Sequence, residues 1–317
     1  MKRNLIAAIA VVSIVVFSNI LVSAQARPPL PRASQKASVM QTVGVTEISL
    51  VYSRPAIKGR TVWGDAPADT KGEATLDDKR TQPAGTALVL NGHLWRTGAN
   101  EATLFSVTDD VLINGQPLAA GKYSLHTIPG KDEWTVIFNK DDGQWGSFSY
   151  DAKKDALRVK TKPQWVAESK EFMYFNIDGM TENTATVNLR WEKIKVPFTV
   201  EVKDVVGATV ARLREYVAGA KADDPGPAAN AANYAKTNKQ VEAAAKWFDA
   251  AIKASDEQIK AKPNFANYRM RSNILFAAGR LADSAGAAEK AVELGKAEKA
   301  DTSALEKRIA DIKAAKN

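Results

Sequence analysis

The residue types in this chain best suited to chemistry are two arginines and the polar residues that follow them. Arg54 ends an apolar segment, and Arg96 directly follows Trp95. Asn100 and Glu101 come a few residues after Arg96. Because a guanidinium group binds a carboxylate or a phosphate through two parallel hydrogen bonds, two of these groups near one loop predict a site for an anion or a sugar acid.

The same region allows a second interpretation, and the tryptophans suggest a further kind of ligand. Arg96 and Glu101 can instead pair across a tight turn centred on Gly98 and hold the loop in shape, which is the role that we favour. Tryptophan rings also suit the faces of sugars. Trp145 lies in a predicted turn and is the surface candidate for such stacking. Trp134 belongs to an alternating apolar set, which predicts a place in the core.

The sequence contains no recognisable catalytic set and no metal-binding motif. Its two histidines are His93 and His126, and it has no cysteine, so a zinc or copper site is not expected. Residues 141–143, Asp-Asp-Gly, lack the spaced oxygen ligands of an EF-hand and predict a simple turn. No nucleophile elbow, phosphate-binding glycine loop or dinucleotide fingerprint occurs. We therefore expect no metal and no cofactor, and the catalytic residues, if there are any, are unknown.

The elements that must position these residues are β-strands, from about residue 45 to residue 202. Apolar and polar residues alternate along most of this region, which is typical of antiparallel sheets that cover a core from one side. Asn114-Gly115 follows an apolar triplet and predicts a type I′ hairpin. The many short strands joined by polar turns predict an antiparallel β-sandwich of the jelly-roll type.

Two residues within the predicted strands, Pro197 and His126, lead to specific predictions. Proline cannot donate to a ladder, so Pro197 predicts that the last strand lies at the edge of its sheet. His126 alternates with Tyr123 and Leu125 and points, together with Ser124, to the opposite face. We expect His126 to have a role at the surface or in strand packing.

Four segments of the β-region, taken together, resemble one known family. They are residues 95–101, 120–125, 133–137 and 144–146, with the sequences WRTGANE, AGKYSL, EWTVI and QWG. Their spacing is similar to that of the domain of unknown function 2911, a secreted bacterial β-domain. The resemblance implies a fold and an exported location but no chemistry, and it implies an apolar or aromatic residue in place of His126. It also implies a shorter link before Trp95, so the polar residues 64–86 are interpreted as an inserted surface loop.

From residue 203 the chain becomes rich in alanine and lysine, with apolar residues at helical spacing. Residues 224–227, Asp-Pro-Gly-Pro, interrupt this pattern. Two stretches that begin at Val241 and Leu281 match each other at an interval of about 40 residues, and the second resembles the end of a tetratricopeptide repeat. We therefore predict an array of helix hairpins, with a plain helical bundle as the alternative. The interval exceeds the usual ~34 residues, which predicts a long second helix or an enlarged turn in the first repeat.

The N-terminus has the layout of an export signal. Lys2 and Arg3 precede an apolar run over residues 5–17, and residues 24–26, Ala-Gln-Ala, offer a cleavage site. The run is shorter than the ~20 residues of a spanning helix, so we expect no transmembrane anchor after cleavage. The predicted parts are a signal peptide over 1–26, a β-sandwich domain over 27–202 and a helical domain over 203–317, an α+β protein with segregated domains.

The charge distribution argues against a nucleic-acid partner. The formal net charge is +8, but Lys and Arg are interspersed with Asp and Glu, so no nucleic-acid footprint is expected. We predict a periplasmic or extracellular protein with a non-catalytic binding or scaffolding function. Its expected partners are an anionic or carbohydrate ligand and, through the helical domain, another envelope protein. A hydrolase or lyase that acts on envelope or polysaccharide material is the alternative.

Overall fold

The computed structural model describes residues 30–65 and 86–315. The predicted signal peptide and nearly all of the predicted insertion at 64–86 lie outside the described residues. Residues 34–317 are grouped in one compact unit, and the account below is confined to its described residues. Twelve strands come first along the chain and six helices follow them. The predicted α+β class with segregated β and α regions is therefore confirmed.

The strands form two antiparallel sheets and one short parallel pair. In chain order they are β1 (Gln35–Val43), β2 (Thr46–Arg54), β3 (Trp63–Asp65), β4 (Val89–Asn91), β5 (Thr103–Val107), β6 (Val111–Ile113), β7 (Gln116–Leu118), β8 (Gly121–Ile128), β9 (Trp134–Asn139), β10 (Asp155–Thr161), β11 (Gln164–Asp178) and β12 (Thr184–Glu201). The first sheet has the order β1-β2-β5-β8-β9-β10, and the second has the order β11-β12-β6-β7. The parallel pair is β3-β4.

The two sheets pack face to face around one apolar core. Phe198 of the second sheet lies 6.2 Å from Phe105 and 5.7 Å from Phe138 of the first sheet, measured between ring centroids. Trp134 is 1% exposed, as its place in the alternating pattern predicts. Both sheets contribute alternate residues to this core, because successive side chains of a strand point to opposite faces.

The hairpin between β6 and β7 has the predicted turn. Asn114 and Gly115 have φ of 46° and 80°, and Ile113 pairs with Gln116 across the two-residue loop. Positive φ at both central residues is the requirement of a type I′ turn. The prediction of this hairpin is confirmed.

The prediction that Pro197 places the last strand at a sheet edge is wrong. β12 lies between β11 and β6. Its pairing with β11 extends to Lys195, and its pairing with β6 on the other side begins at Val200. Pro197 falls between these two stretches, so its missing N–H interrupts neither ladder.

Four tryptophans meet at one end of the sandwich core. The ring of Trp63 packs edge-on against those of Trp95, Trp134 and Trp191, with centroid distances of 5.8, 5.2 and 5.6 Å. Trp95 and Trp191 stack at 5.9 Å. This cluster anchors β3 to the sandwich, and it fixes the start of the segment that follows Trp95.

Consecutive helices pack against one another along the chain. They are α1 (Val205–Ala218), α2 (Pro225–Thr237), α3 (Val241–Ala261), α4 (Phe265–Ala277), α5 (Leu281–Ala297) and α6 (Ser303–Ala314). The break predicted at residues 224–227 is the start of α2, where the Asp224 carboxylate accepts a hydrogen bond from the Gly226 N–H. No helix within 30–65 and 86–315 is long and apolar enough to cross a membrane.

Two helix hairpins repeat at the predicted interval. The pair α2–α3 and the pair α4–α5 begin 40 residues apart, at both the first and the second helix. Their turns match as well: the N–H of Gln240 donates to the Ala235 carbonyl and that of Arg280 to the Leu275 carbonyl, both at 2.8 Å. α3 has 21 residues against 17 in α5, so the long second helix predicted for the first repeat is present.

Helix α1 connects the sandwich to the other five α-helices of the described chain. Val205, its first residue, packs against the sandwich core, while Val210 and its neighbours on the same face belong to the helical core. Arg212 Nη2 lies 3.1 Å from Asp109 Oδ2 in the loop between β5 and β6. The apolar face of α1 therefore serves mainly the helical part of the protein.

Candidate functional site

The turn that follows Trp95 has an unusual backbone conformation. Trp95 pairs with Thr127 of β8 through two backbone hydrogen bonds of 2.8 and 2.9 Å. Thr97 and Asn100 then have φ of 54° and 61°, in the left-handed region that is costly for residues other than glycine. Asparagine tolerates this region better than a β-branched residue does, so Thr97 carries more of the strain.

Hydrogen bonds and close packing fix this turn in place. Thr103 Oγ1 donates to the Thr97 carbonyl at 2.6 Å, and the Trp95 indole N–H donates to the Gly98 carbonyl at 3.1 Å. A Cβ atom at Gly98 would lie 3.1 Å from the Ser53 carbonyl oxygen, which leaves little room for any larger residue. The turn is thus held in place by contacts within the protein itself.

Asn100 joins the turn after Trp95 to the end of β2 and to the residue just before β1. Its Nδ2 atom donates to Ser53 Oγ at 3.3 Å and to the Ser34 carbonyl at 3.1 Å. Its own carbonyl accepts a hydrogen bond of 3.0 Å from Arg96 Nη1. One end of the Arg96 side chain therefore supports the turn, while its pairing with Glu101 stays a prediction.

A cavity of about 280 Å³, here called the arginine–tryptophan cavity, opens beside this turn. The residues that give it its chemistry are Arg60, Arg96, Trp95 and Trp191. Its lining includes no carboxylate and no imidazole among the described residues. Arg60 is held by bonds from Nη2 to the Ala56 carbonyl at 2.7 Å and from Nε to a neighbouring carbonyl. The cavity is therefore cationic and aromatic.

Arg54 does not line this cavity. Its Nε atom donates to the Met173 carbonyl at 2.9 Å, and its guanidinium lies 5.7 Å from the centre of the Phe172 ring. Both contacts are to β11 of the second sheet. Arg54 and Arg96 therefore do not share this cavity as expected, and Arg60 lines it in place of Arg54.

A second, smaller cavity is lined in part by the residues that follow this turn. Its volume is about 150 Å³, and its lining includes Glu101, Asp142, Lys36 and Gln144, so we call it the carboxylate cavity. The Gln144 side chain is buried, and its Nε2 atom donates to Ser124 Oγ at 3.3 Å. Gln144 Oε1 has no hydrogen-bond partner among the described residues. Two carboxylates and one ammonium thus share this space.

His126 lies in a buried polar cluster behind the same turn. It is 0% exposed, with Nε2 3.1 Å from Ser124 Oγ and Nδ1 3.2 Å from Ser147 Oγ. Burial lowers the pKa of His126 to about 4, although the nearby Asp155 carboxylate acts in the opposite direction. The expected packing role of His126 fits the structure, and the expected surface role is wrong. The reason is that the loop carrying Ser147 and Tyr150 covers this face of the sheet.

Trp145 is placed as the sequence predicts, at the surface. Its side chain is 48% exposed. Phe148 in the same loop is also exposed, and its ring lies close to Gly146. The Trp145 backbone pairs with that of Glu101 in an isolated antiparallel bridge. Trp145 therefore belongs to the outer side of the turn and not to either cavity.

A family model described as "Protein of unknown function (DUF2911)" matches residues 34–200. That is more than half of the chain. The chain belongs to the DUF2911 family. No curated protein and no solved structure matches it.

The DUF2911 region contains the whole candidate site. Every residue that lines the arginine–tryptophan cavity or the carboxylate cavity lies within 34–200. The helices begin at Val205 and lie outside the matched region. The matched region therefore covers the described sandwich and both cavities but none of the helices.

Sequence reasoning missed two residues that line the arginine–tryptophan cavity. Arg60 follows Lys58 and Gly59, whose φ values of 49° and 69° bend the chain towards the tryptophan cluster. The Lys-Gly turn just before Trp63 was the available signal. Trp191 lies in the core, at 2% exposure, and also lines the cavity. No group of residues in the described part of the chain could hold a metal ion.

Proposed function

We propose that this protein is an exported, non-catalytic binding or scaffolding protein whose sandwich holds a small anionic ligand such as a sugar acid. The observation that carries the proposal is the lining of the arginine–tryptophan cavity. Arg60 and Arg96 share it with the rings of Trp95 and Trp191, without a carboxylate among the described lining residues. Guanidinium groups held in place lose little entropy when they bind a carboxylate or a phosphate.

The size of the cavity limits the ligand. Its volume of about 280 Å³ is close to the lower end of the ~300–1,000 Å³ typical of ligand pockets. A single sugar acid or a similar small anion suits that volume, whereas a polymer would have to extend outside it. The rigid turn at Thr97 supports the proposal, because strained residues collect at functional sites.

Export and a partner for the helices complete the proposal. Export is supported by Lys2, Arg3, the apolar run and the Ala-Gln-Ala site. We further propose that the two hairpins form a tetratricopeptide-like array that binds another envelope protein. The identical spacing of α2–α3 and α4–α5 supports this, since stacked helix hairpins present extended surfaces for binding.

The ligand is tested on the full chain with glucuronate, inorganic phosphate and neutral glucose. Tryptophan fluorescence is a suitable signal because Trp95 and Trp191 line the cavity. We expect saturable binding of an anion but not of glucose, and Arg60→Gln should weaken it at least about tenfold. Arg54→Gln is the matched control, since Arg54 lies outside the cavity. Loss of binding in both variants, or no anion response in the native protein, would contradict the proposal.

One observation favours a second function, a hydrolase or lyase acting on envelope or polysaccharide material. Glu101 and Asp142 line the same small cavity, and paired carboxylates are the usual groups of glycoside hydrolysis. The volume of about 150 Å³ and the presence of Lys36 in the lining make this site less suitable for a sugar chain. Release of reducing ends from a polysaccharide that is abolished by Glu101→Gln would establish catalysis in place of binding.

A further inference from the structure

A groove of about 560 Å³ lies between α1 and the beginning of α3. Its buried or half-buried lining is apolar and includes Val210, Val217 and Trp247. Val241, the first residue of α3, also lines it and is 77% exposed. Single exposed apolar residues are ordinary, but one that continues an apolar groove indicates an interaction surface.

The charges around this groove are unbalanced. Arg214, Lys239 and Lys246 line it, against the single carboxylate of Glu242. None of these four side chains has an ion pair with another described residue. Elsewhere on the helices, several cations are paired within the chain: Lys260–Glu257, Arg280–Asp283, Lys290–Glu293 and Lys307–Asp311. The groove therefore presents positive charge that the described part of the protein does not neutralise.

The internal repeat shows that these groove residues are not needed to build a helix hairpin. In the second hairpin, the positions equivalent to Lys246 and Trp247 are occupied by Gly286 and Ala287. The backbone spacing of the two hairpins is nevertheless the same. The cation and the large aromatic ring are thus specific to the first hairpin.

We propose that this groove docks an acidic segment of a partner protein. An apolar side chain of that segment contacts Val241 and Trp247, and its carboxylates face Arg214, Lys239 and Lys246. Apolar side chains together with three cations suit an acidic segment that carries an apolar residue. Charge complementarity selects such a partner, and burial of apolar surface retains it. The inference rests on the partner-binding part of the proposed function. It is independent of the arginine–tryptophan cavity.

The test uses the full chain and a short fluorescent peptide with blocked ends, in which aspartates flank a central leucine. We expect saturable binding by anisotropy, weakened by added salt because the charges are exposed. Lys246→Glu and Val241→Asp should each lower the affinity at least about tenfold. Lys253→Glu is the matched control: it makes the same charge change on the exposed surface of α3, outside the groove. It should change the affinity less than about twofold.

Several outcomes would overturn the inference. Absence of saturable peptide binding would do so, as would an equal loss with Lys253→Glu, which would indicate general charge attraction. Binding to phosphatidylglycerol vesicles but not to the peptide would assign the groove to a membrane surface. Self-association that Val241→Asp removes would assign it to a second copy of this chain. Binding of non-acidic peptides that is unaffected by Lys246→Glu would refute the proposal that this groove docks an acidic segment. It would leave the proposed partner-binding function standing.

Discussion

Glu101 and Trp145 form an isolated antiparallel bridge that joins two loops more than forty residues apart in sequence. The bridge consists of two backbone hydrogen bonds: the Ala102 N–H donates to the Gln144 carbonyl at 3.0 Å, and the Gly146 N–H donates to the Asn100 carbonyl at 2.9 Å. The WRTGANE and QWG segments are therefore one structural unit. This explains how two of the motifs, although far apart in sequence, belong to a single site.

The first prediction concerns Arg96. Arg96→Ala should lower the free energy of unfolding by roughly 1–3 kcal/mol, because the Asn100 carbonyl loses one of its two donors in a part-buried turn and keeps only the Gly146 N–H. If Arg96 also pairs with Glu101, replacing both residues by neutral ones should cost less than the sum of the single changes. Chemical denaturation of the four proteins in this cycle measures both effects. Unchanged stability together with lost anion binding would show that Arg96 serves only the ligand.

The second prediction concerns Gly146. Its φ is 67°, and a Cβ atom there would lie 2.9 Å from the Phe148 ring and 3.2 Å from Arg96 Nη1. Gly146→Ala should therefore lower the free energy of unfolding by roughly 1–2 kcal/mol. Gly143→Ala in the same loop is the control, since nothing lies within 4 Å of its Cβ position. Equal melting temperatures for the two variants would contradict the strain argument.

The third prediction concerns His126 and acid. The folded pKa is about 4 because of burial, while the unfolded chain has the ordinary value of ~6.5. Between these values only the unfolded chain binds the proton, so stability should fall as the pH drops from ~6.5 to ~4, by up to roughly 3 kcal/mol. Urea unfolding at several pH values, compared between the native protein and His126→Gln, isolates this contribution. Parallel pH profiles for the two proteins would show that His126 does not cause it.

The fourth prediction concerns the division of the chain. Because the apolar face of α1 belongs mainly to the helical core, a fragment that ends at Lys203 should fold and give a β-type circular dichroism spectrum. Extending it through Ala218 should expose Val210 and its neighbours and promote aggregation. An unfolded Lys203 fragment would show that the two regions cannot fold separately. Limited proteolysis of the whole chain should cut first at the exposed residues 221–224.

Much of the fold could be predicted because it depends on local patterns. Strand alternation, the Asn114-Gly115 turn and the interval between the hairpins are all encoded by residues close together in the chain. The interior position of β12 could not be predicted, because β12 changes its pairing partner around Pro197 and only the distant strands β11 and β6 determine that.

The candidate site was predicted less completely for a similar reason. The sequence identified Arg96 and Asn100 but paired them with Arg54, since distance along the chain does not show which arginine faces the turn. Arg54 donates a hydrogen bond to a carbonyl of β11. Arg60, which follows the turn at Lys58 and Gly59, lines the cavity instead. His126 was misplaced in part because its covering loop comes some twenty residues later, and alternation describes a strand without describing what lies over it.

The position of β12 has a mechanical consequence. This strand lies inside its sheet, and only residues 202–204 separate it from α1. Tension applied to the helices by a bound partner would therefore reach a strand that has neighbours on both sides. Such a load first meets the short pairing of residues 200–201 with β6, and the longer ladder with β11 lies behind it, beyond Pro197. The strand can therefore leave its sheet only after two separate ladders have broken, which makes the sandwich a firm anchor for the helices.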